Sequence, residues 1–122
     1  MAYEIPVLDI SLPCSTADLS TRQYHFVNLS TAGKIGLASL GGRAIGVLQN
    51  KPSASELARV RVMGITKVVS DGSVGPGELV ASSTIGKAQA STAGSQRLGV
   101  VVSGTTSSTG VISVLLLTPT TT

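Results

Sequence analysis

The chain has 122 residues, of which 42% are hydrophobic, 12% charged and 2% aromatic, and its net charge is +3. That length suits one domain with a modest core, and the hydrophobic content excludes a chain held open by charge. One histidine, one cysteine and six acids leave little from which to build a proton relay or a metal shell.

Residues 1–16 read as an extended N-terminal arm, because Pro6 and Pro13 exclude regular helix between them. Tyr3, Ile5 and Val7 alternate with Glu4 and Pro6, the period of a strand. With Leu8, Ile10 and Leu12 they are the arm's candidate contact residues. Two readings are open: a strand laid on a partner, or the first strand of the domain's own sheet. Ser15 or Thr16 is placed to cap a short turn over 17–22, with Asp18 in its first positions.

The body, residues 17–117, reads as a series of short strands. Segment 24–29 ends at the turn signal Thr31-Ala32-Gly33. Segment 34–37 leads through Gly41-Gly42 into 43–48. The longest candidate strand is 58–70, where Val60, Val62 and Gly64 alternate with Arg59, Arg61 and Met63. Asp71-Gly72 and Gly75-Pro76-Gly77 break the chain next. Segments 79–82, 87–90, 98–103 and 111–117 complete the series, the last two joined by a polar loop. Short strands at this spacing with turn chemistry between them predict an all-β sandwich or barrel. Gly46 and Gly99 sit in matching contexts, an apolar residue before and two after. Glycine inside a strand marks a bulge or a close backbone approach, which bends strands around a tight barrel. Residues 118–122 are expected to be a loose tail, with Pro119 blocking further pairing.

Little in the chain suggests chemistry. Cys14, Asp18 and His25 are the types found in a thiol hydrolase, but no Gly-rich elbow or oxyanion loop flanks Cys14. The thiol, on a Pro-flanked arm, reads as a passive small hydrophobe. The acids Glu4, Asp9, Asp18, Glu56, Asp71 and Glu78 never cluster at ligand spacing. Lys67 falls mid-strand, not on the exposed hairpin tip that a lipoyl or biotin carrier needs. Neither an enzyme nor a cofactor is expected. The cations are scattered singly and the aromatics are few, so no nucleic-acid partner is expected. The start lacks a basic leader, and the apolar run 110–117 is short of the ~20 residues of a spanning helix. No membrane partner is expected, and synthesis is placed in a cytoplasm.

The order of several short motifs carries a resemblance. Ala17-Asp18-Leu19-Ser20 precedes Gln23-Tyr24, Phe26-Val27 and Leu29. Then follow the run 43–52, Ala58-Arg59-Val60-Arg61-Val62, Gly64-Ile65-Thr66-Lys67-Val68, Gly77-Glu78-Leu79-Val80, Gly86-Lys87-Ala88 and Leu98-Gly99-Val100. Over residues 17–117 this resembles the capsid decoration, or cement, proteins of tailed bacteriophages. The resemblance implies a small β-barrel or β-tulip-like domain with an N-terminal arm. It also implies a homo-oligomer, with a trimer favoured, docked on the outer surface of an expanded head. The partner would be the major capsid protein, and the function would be to tie capsomers together against internal DNA pressure. The alternative is another β-structured virion module, such as a head-fibre base or an adhesion domain.

Overall fold

The computed structural model describes residues 4–15, 18–30, 32–92, 94–104 and 109–121. Among them there is no helix. Nine strands form one continuous sheet: β1 (Ile5–Pro13), β2 (Phe26–Leu29), β3 (Ile35–Leu37), β4 (Gly46–Leu48), β5 (Leu57–Asp71), β6 (Leu79–Ser82), β7 (Ala88–Ala90), β8 (Gln96–Ser103) and β9 (Thr109–Thr121). The all-β expectation holds, and each predicted body segment overlaps an observed strand.

β5 organises the sheet. Its C-terminal part pairs antiparallel with β9, from Ile65 opposite Leu115 to Asp71 opposite Thr109. Its Ser70 pairs in parallel with Ala88 of β7. Since β7 pairs with β6, β6 with β8 and β8 with β9, these strands close a five-stranded barrel. Phe26, Val68, Val80, Val101, Ile112 and Val114 fill its core with almost no exposure.

The N-terminal part of β5 serves a second ring. β1 pairs with it from Ile5 opposite Ile65 to Pro13 opposite Leu57. β4 pairs with it at Arg61 and Val60, and β4 continues into β2 and β3. Cys14, just past β1, then bridges in parallel to Ile35 of β3, and the Ser15 N–H donates to the Ile35 carbonyl at 2.9 Å. This ring encloses its own core of Cys14, Leu19, Val27, Ile35, Leu48 and Val60. Ile10 and Leu12 pack against that core from β1. Of the two readings open for the N-terminal segment, residues 5–13 therefore take the second: a strand of the chain's own sheet.

Hydrogen bonds tie the rings together, those of Gln49, Tyr24 and Phe26 among them. Gln49 is buried, and its Nε2 donates to the Val47 carbonyl at 3.1 Å and to Thr66 Oγ1 at 2.8 Å. Tyr24 lies in the left-handed region at φ 65°. Its N–H donates to the Leu48 carbonyl at 2.7 Å, and its carbonyl accepts the Val69 N–H at 2.8 Å. These two bonds offset a backbone conformation that disfavours a side chain. Finally, the Phe26 N–H donates to the Gly86 carbonyl at 2.6 Å.

The paired glycines do what their contexts suggested. A Cβ on Gly46 would lie 2.2 Å from the Arg61 carbonyl oxygen. One on Gly99 would lie 2.4 Å from a Val114 methyl and 2.7 Å from the Leu115 carbonyl oxygen. Each glycine lets a neighbouring strand's backbone approach closer than any side chain allows. The tail departs from expectation: β9 runs to Thr121, through Pro119. Between the pair Gly99 and Leu116 and the pair Arg97 and Thr120, the β8–β9 register shifts, with more residues on β9 than on β8. Pro119 falls in that irregularity, where a residue without an N–H is tolerated.

Gly46→Ala is expected to lower unfolding free energy by about 2 kcal/mol, the cost of forcing a methyl into closed packing. Lys51→Ala, on the exposed connection before β5, should stay within about 0.5 kcal/mol. Urea titration of both variants checks the contrast.

Candidate docking surface

The structure divides the six predicted contact residues. Tyr3 lies outside the described residues. Ile5, Val7 and Leu8 are 54%, 66% and 47% exposed. Ile10 and Leu12 turn inward against the second core. The division follows from two register shifts. Pro6 is opposite Gly64 and Leu8 is opposite Met63, so Val7 has no opposing residue and Leu8 joins the face of Ile5; Asp9 is then opposite Arg61, which skips Val62 and turns Ile10 and Leu12 to the other face. Gly64 makes this possible at φ 108°, since a Cβ there would lie 2.4 Å from the Ile5 carbonyl oxygen.

β1 is held by charge as well as by its ladder. Arg61 is almost fully buried, and it faces Asp9 directly across the β1–β5 register. Its Nε donates to Asp9 Oδ1 at 2.9 Å and its Nη2 to Asp9 Oδ2 at 3.2 Å, a two-pronged pair. Its Nη1 donates to Glu4 Oε1 at 3.0 Å. Hydrogen bonds donated to Asp9, and the charges of Asp9 and Glu4, raise the Arg61 pKa, so the cation is retained despite burial. Arg59 adds a longer contact to Asp9 at 3.6 Å.

With β1 in place, register assembles an apolar row. Ile5 is opposite Ile65, Ile65 opposite Leu115, Leu115 opposite Val100, and Val100 opposite Leu79. Directly opposed side chains share a face. The row crosses β1, β5, β9, β8 and β6 on the outside of the barrel, and none of its members is fully buried. Beside it, Val7, Ile45, Val62, Met63 and Leu117 line a groove of about 560 Å³ with Arg43 among its walls. Large exposed apolar patches on small proteins mark interaction surfaces. Sequence reading named Ile5, Val7 and Leu8 as contact candidates, and the structure leaves them exposed. That reading missed Met63, Leu79, Val100, Leu115 and Leu117, which read as ordinary strand hydrophobics until the register put them on one face.

The residues weighed for chemistry are engaged structurally. Cys14 is buried, and desolvation raises its thiol pKa, which lowers the thiolate fraction a nucleophile needs. Asp18 Oδ1 accepts the Ser20 N–H at 2.9 Å, and that bond lowers its pKa. His25 is buried, with Nδ1 3.1 Å from the Gln23 carbonyl oxygen. Donation from Nδ1 leaves Nε2 as the unprotonated nitrogen, and among the described residues it has no hydrogen-bond partner. Burial lowers the His25 pKa first, and the charges of Arg22 and Lys87 add to the effect. Among the described residues, no three His, Cys, Asp or Glu side chains gather where a metal ion could be held.

Sequence comparison finds no matching family model and no matching curated protein. Structural comparison finds a likeness to the crystal structure of the head fiber gp8.5 N base of bacteriophage phi29, with a TM-score of 0.73 and 13% identity. The match covers 90% of this chain and 95% of that one, so it extends over both rings. At that identity the likeness establishes the fold: this chain shares the closed, all-strand architecture of a phage head-fibre base.

Asp9→Ala would leave buried Arg61 with Glu4 as its remaining partner, and is expected to cost about 2 kcal/mol, the scale of lost hydrogen bonds to a charged group. It should also release the first residues of β1, read as faster amide exchange at Ile5–Ile10 than at Val111–Val114. The lowered His25 pKa sets a pH dependence. Below about pH 6.5 the unfolded chain takes up a proton that the folded chain resists, so stability is full above that value and falls as pH drops below it. His25→Phe should flatten the melting-temperature profile between about pH 7 and pH 5.5.

Proposed function

We propose that this protein is a structural component of a tailed-phage virion, seated on the outside of the head. The observation that carries the reading is a fold shared, over nearly the whole of both chains, with the base of a head fibre. The apolar row and groove support it, because a protein that works by docking needs a face whose burial repays association. Each such side chain contributes about 1.5–3 kcal/mol when fully covered.

The finer reading is cementing. The chain binds major capsid protein across the joint between neighbouring capsomers and resists their separation under DNA pressure. Assembly as a homotrimer makes this effective, since one modest contact per subunit becomes three contacts acting at high effective concentration. Low surface charge fits the role, because a Ser- and Thr-rich face docks without burying unpaired ions. No catalytic step, cofactor or nucleic acid is required.

A second reading, the base of a head fibre, is favoured by the same structural likeness. Such a base anchors further chain or a separate fibre and need not strengthen the shell. Both readings predict saturable binding of the purified protein to undecorated expanded heads, at symmetry-related sites seen by electron cryomicroscopy. Cementing further predicts that saturated heads survive osmotic shock or heating that bursts bare ones. Full occupancy with no gain in resistance would leave the fibre-base reading, and no binding to heads would end both.

A further inference from the structure

We propose that the groove between the two rings is a binding site for an extended apolar peptide segment carrying a carboxylate, with Arg43 as the charge that receives it. The inference rests on the head-docking reading above, and names the chemistry of the coat-protein segment that would fill the site.

The groove arises where the two rings part. The β4 ladder on β5 ends at Arg61, and the β9 ladder begins at Ile65. Between them Val62 and Met63 have no ladder partner from either strand. Ile45 and Ala44, ahead of β4, form one wall, and Leu115 to Leu117 of β9 form the other. Val7 sits at the rim, pushed outward by its bulge. Met63 and Val7 are 53% and 66% exposed, and Leu115 and Leu117 about as much as each other at 40% and 41%. The strands beside the groove are fixed by their ladders, so the site is preformed and its apolar floor is wet until something covers it.

Charge selects the occupant. Two arginines border this region, and their situations are opposite. Arg61 is buried and neutralised by Asp9 and Glu4. Arg43 is exposed, and among the described residues it makes no ion pair. No acid lines the groove. An apolar slot with one unneutralised guanidinium at its wall complements an apolar segment with one carboxylate, since the fork of Arg43 accepts a carboxylate in two-pronged geometry. An entirely apolar occupant would crowd the cation, and a basic one would be repelled. An extended segment suits the walls because both are strands or strand-like, and strand addition is a common way for a sheet protein to hold a peptide.

The test uses the full-length chain labelled with 15N and a short soluble peptide of alternating Val and Thr with one central Asp. Its twin carries Asn in place of Asp. The expected result is amide shifts concentrated at Ile45, Val62, Met63 and Leu115–Leu117. The Asn twin, and separately Arg43→Gln, should bind about fivefold more weakly, the effect of losing an exposed ion pair. Leu117→Asp should abolish binding. Leu57→Asp, at a leucine 63% exposed and outside the groove, should leave it intact. Shifts scattered over the surface, equal affinity for the two peptides, or equal damage from Leu57→Asp would overturn the proposal. Head binding separates the two claims. If heads bind wild type and Leu117→Asp equally, the groove is not the contact and the inference fails while the virion role stands. If wild type ignores heads yet binds the acidic peptide selectively, the virion role fails while the site and its ligand class stand.

Discussion

The whole architecture depends on one strand belonging to two rings. β5 is 15 residues long and carries the hydrogen-bond ladders of both. It changes duty at Gly64, where φ 108° and the missing Cβ let the β1 backbone pass against it. A side chain there would meet the Ile5 carbonyl oxygen and the Val7 nitrogen, both main-chain atoms that cannot swing away. The bulge at Val7, the parting of β4 from β9 and the groove between the rings all lie within a few residues of that point. The site proposed for docking is thus a geometric by-product of sharing one strand.

Ring closure explains why the N-terminal segment is integral to the fold. β1 contributes Ile10, Leu12 and the adjoining Cys14 to the second core, and the Cys14–Ile35 bridge closes the ring. Without β1, the edges of β5 and β3 would be open to other chains, the usual hazard of unpaired strands. The Arg61 cluster adds specificity to this pairing. A buried guanidinium facing a carboxylate satisfies its donors in one register and leaves them unpaired when the strand slips. The same segment still presents Ile5, Val7 and Leu8 to solvent. One strand closes a core with its C-terminal half and builds the candidate docking surface with its N-terminal half.

Much of the fold was legible because strand signals are local. The alternation along 58–70 marked β5, and Asp71-Gly72 and Gly75-Pro76-Gly77 marked the turns beyond it. Gly46 and Gly99 were readable as close approaches because no other residue type serves that purpose inside a strand. Pro119 misled for the same local reason. Proline forbids a ladder bond at its own nitrogen, but a register irregularity removes the need for that bond. The candidate surface was half legible. The exposure of Ile5 and Val7 fits their position on an alternating segment, but Leu8 joins them only through the register shift, and Leu79, Val100 and Leu115 are far apart in sequence and meet only through three separate registers.

Sequence alone determined that this chain is built from short strands around a small core, poor in the residues that move protons or hold metals. Composition and period-two alternation are sums over neighbours, so they survive without knowledge of the fold. The tertiary structure alone decided that there are two rings, that β1 completes one of them, and that Arg61 is neutralised while Arg43 is left to solvent. Those outcomes depend on which strand lies beside which, and pairing between residues fifty or more positions apart leaves no mark on either segment by itself.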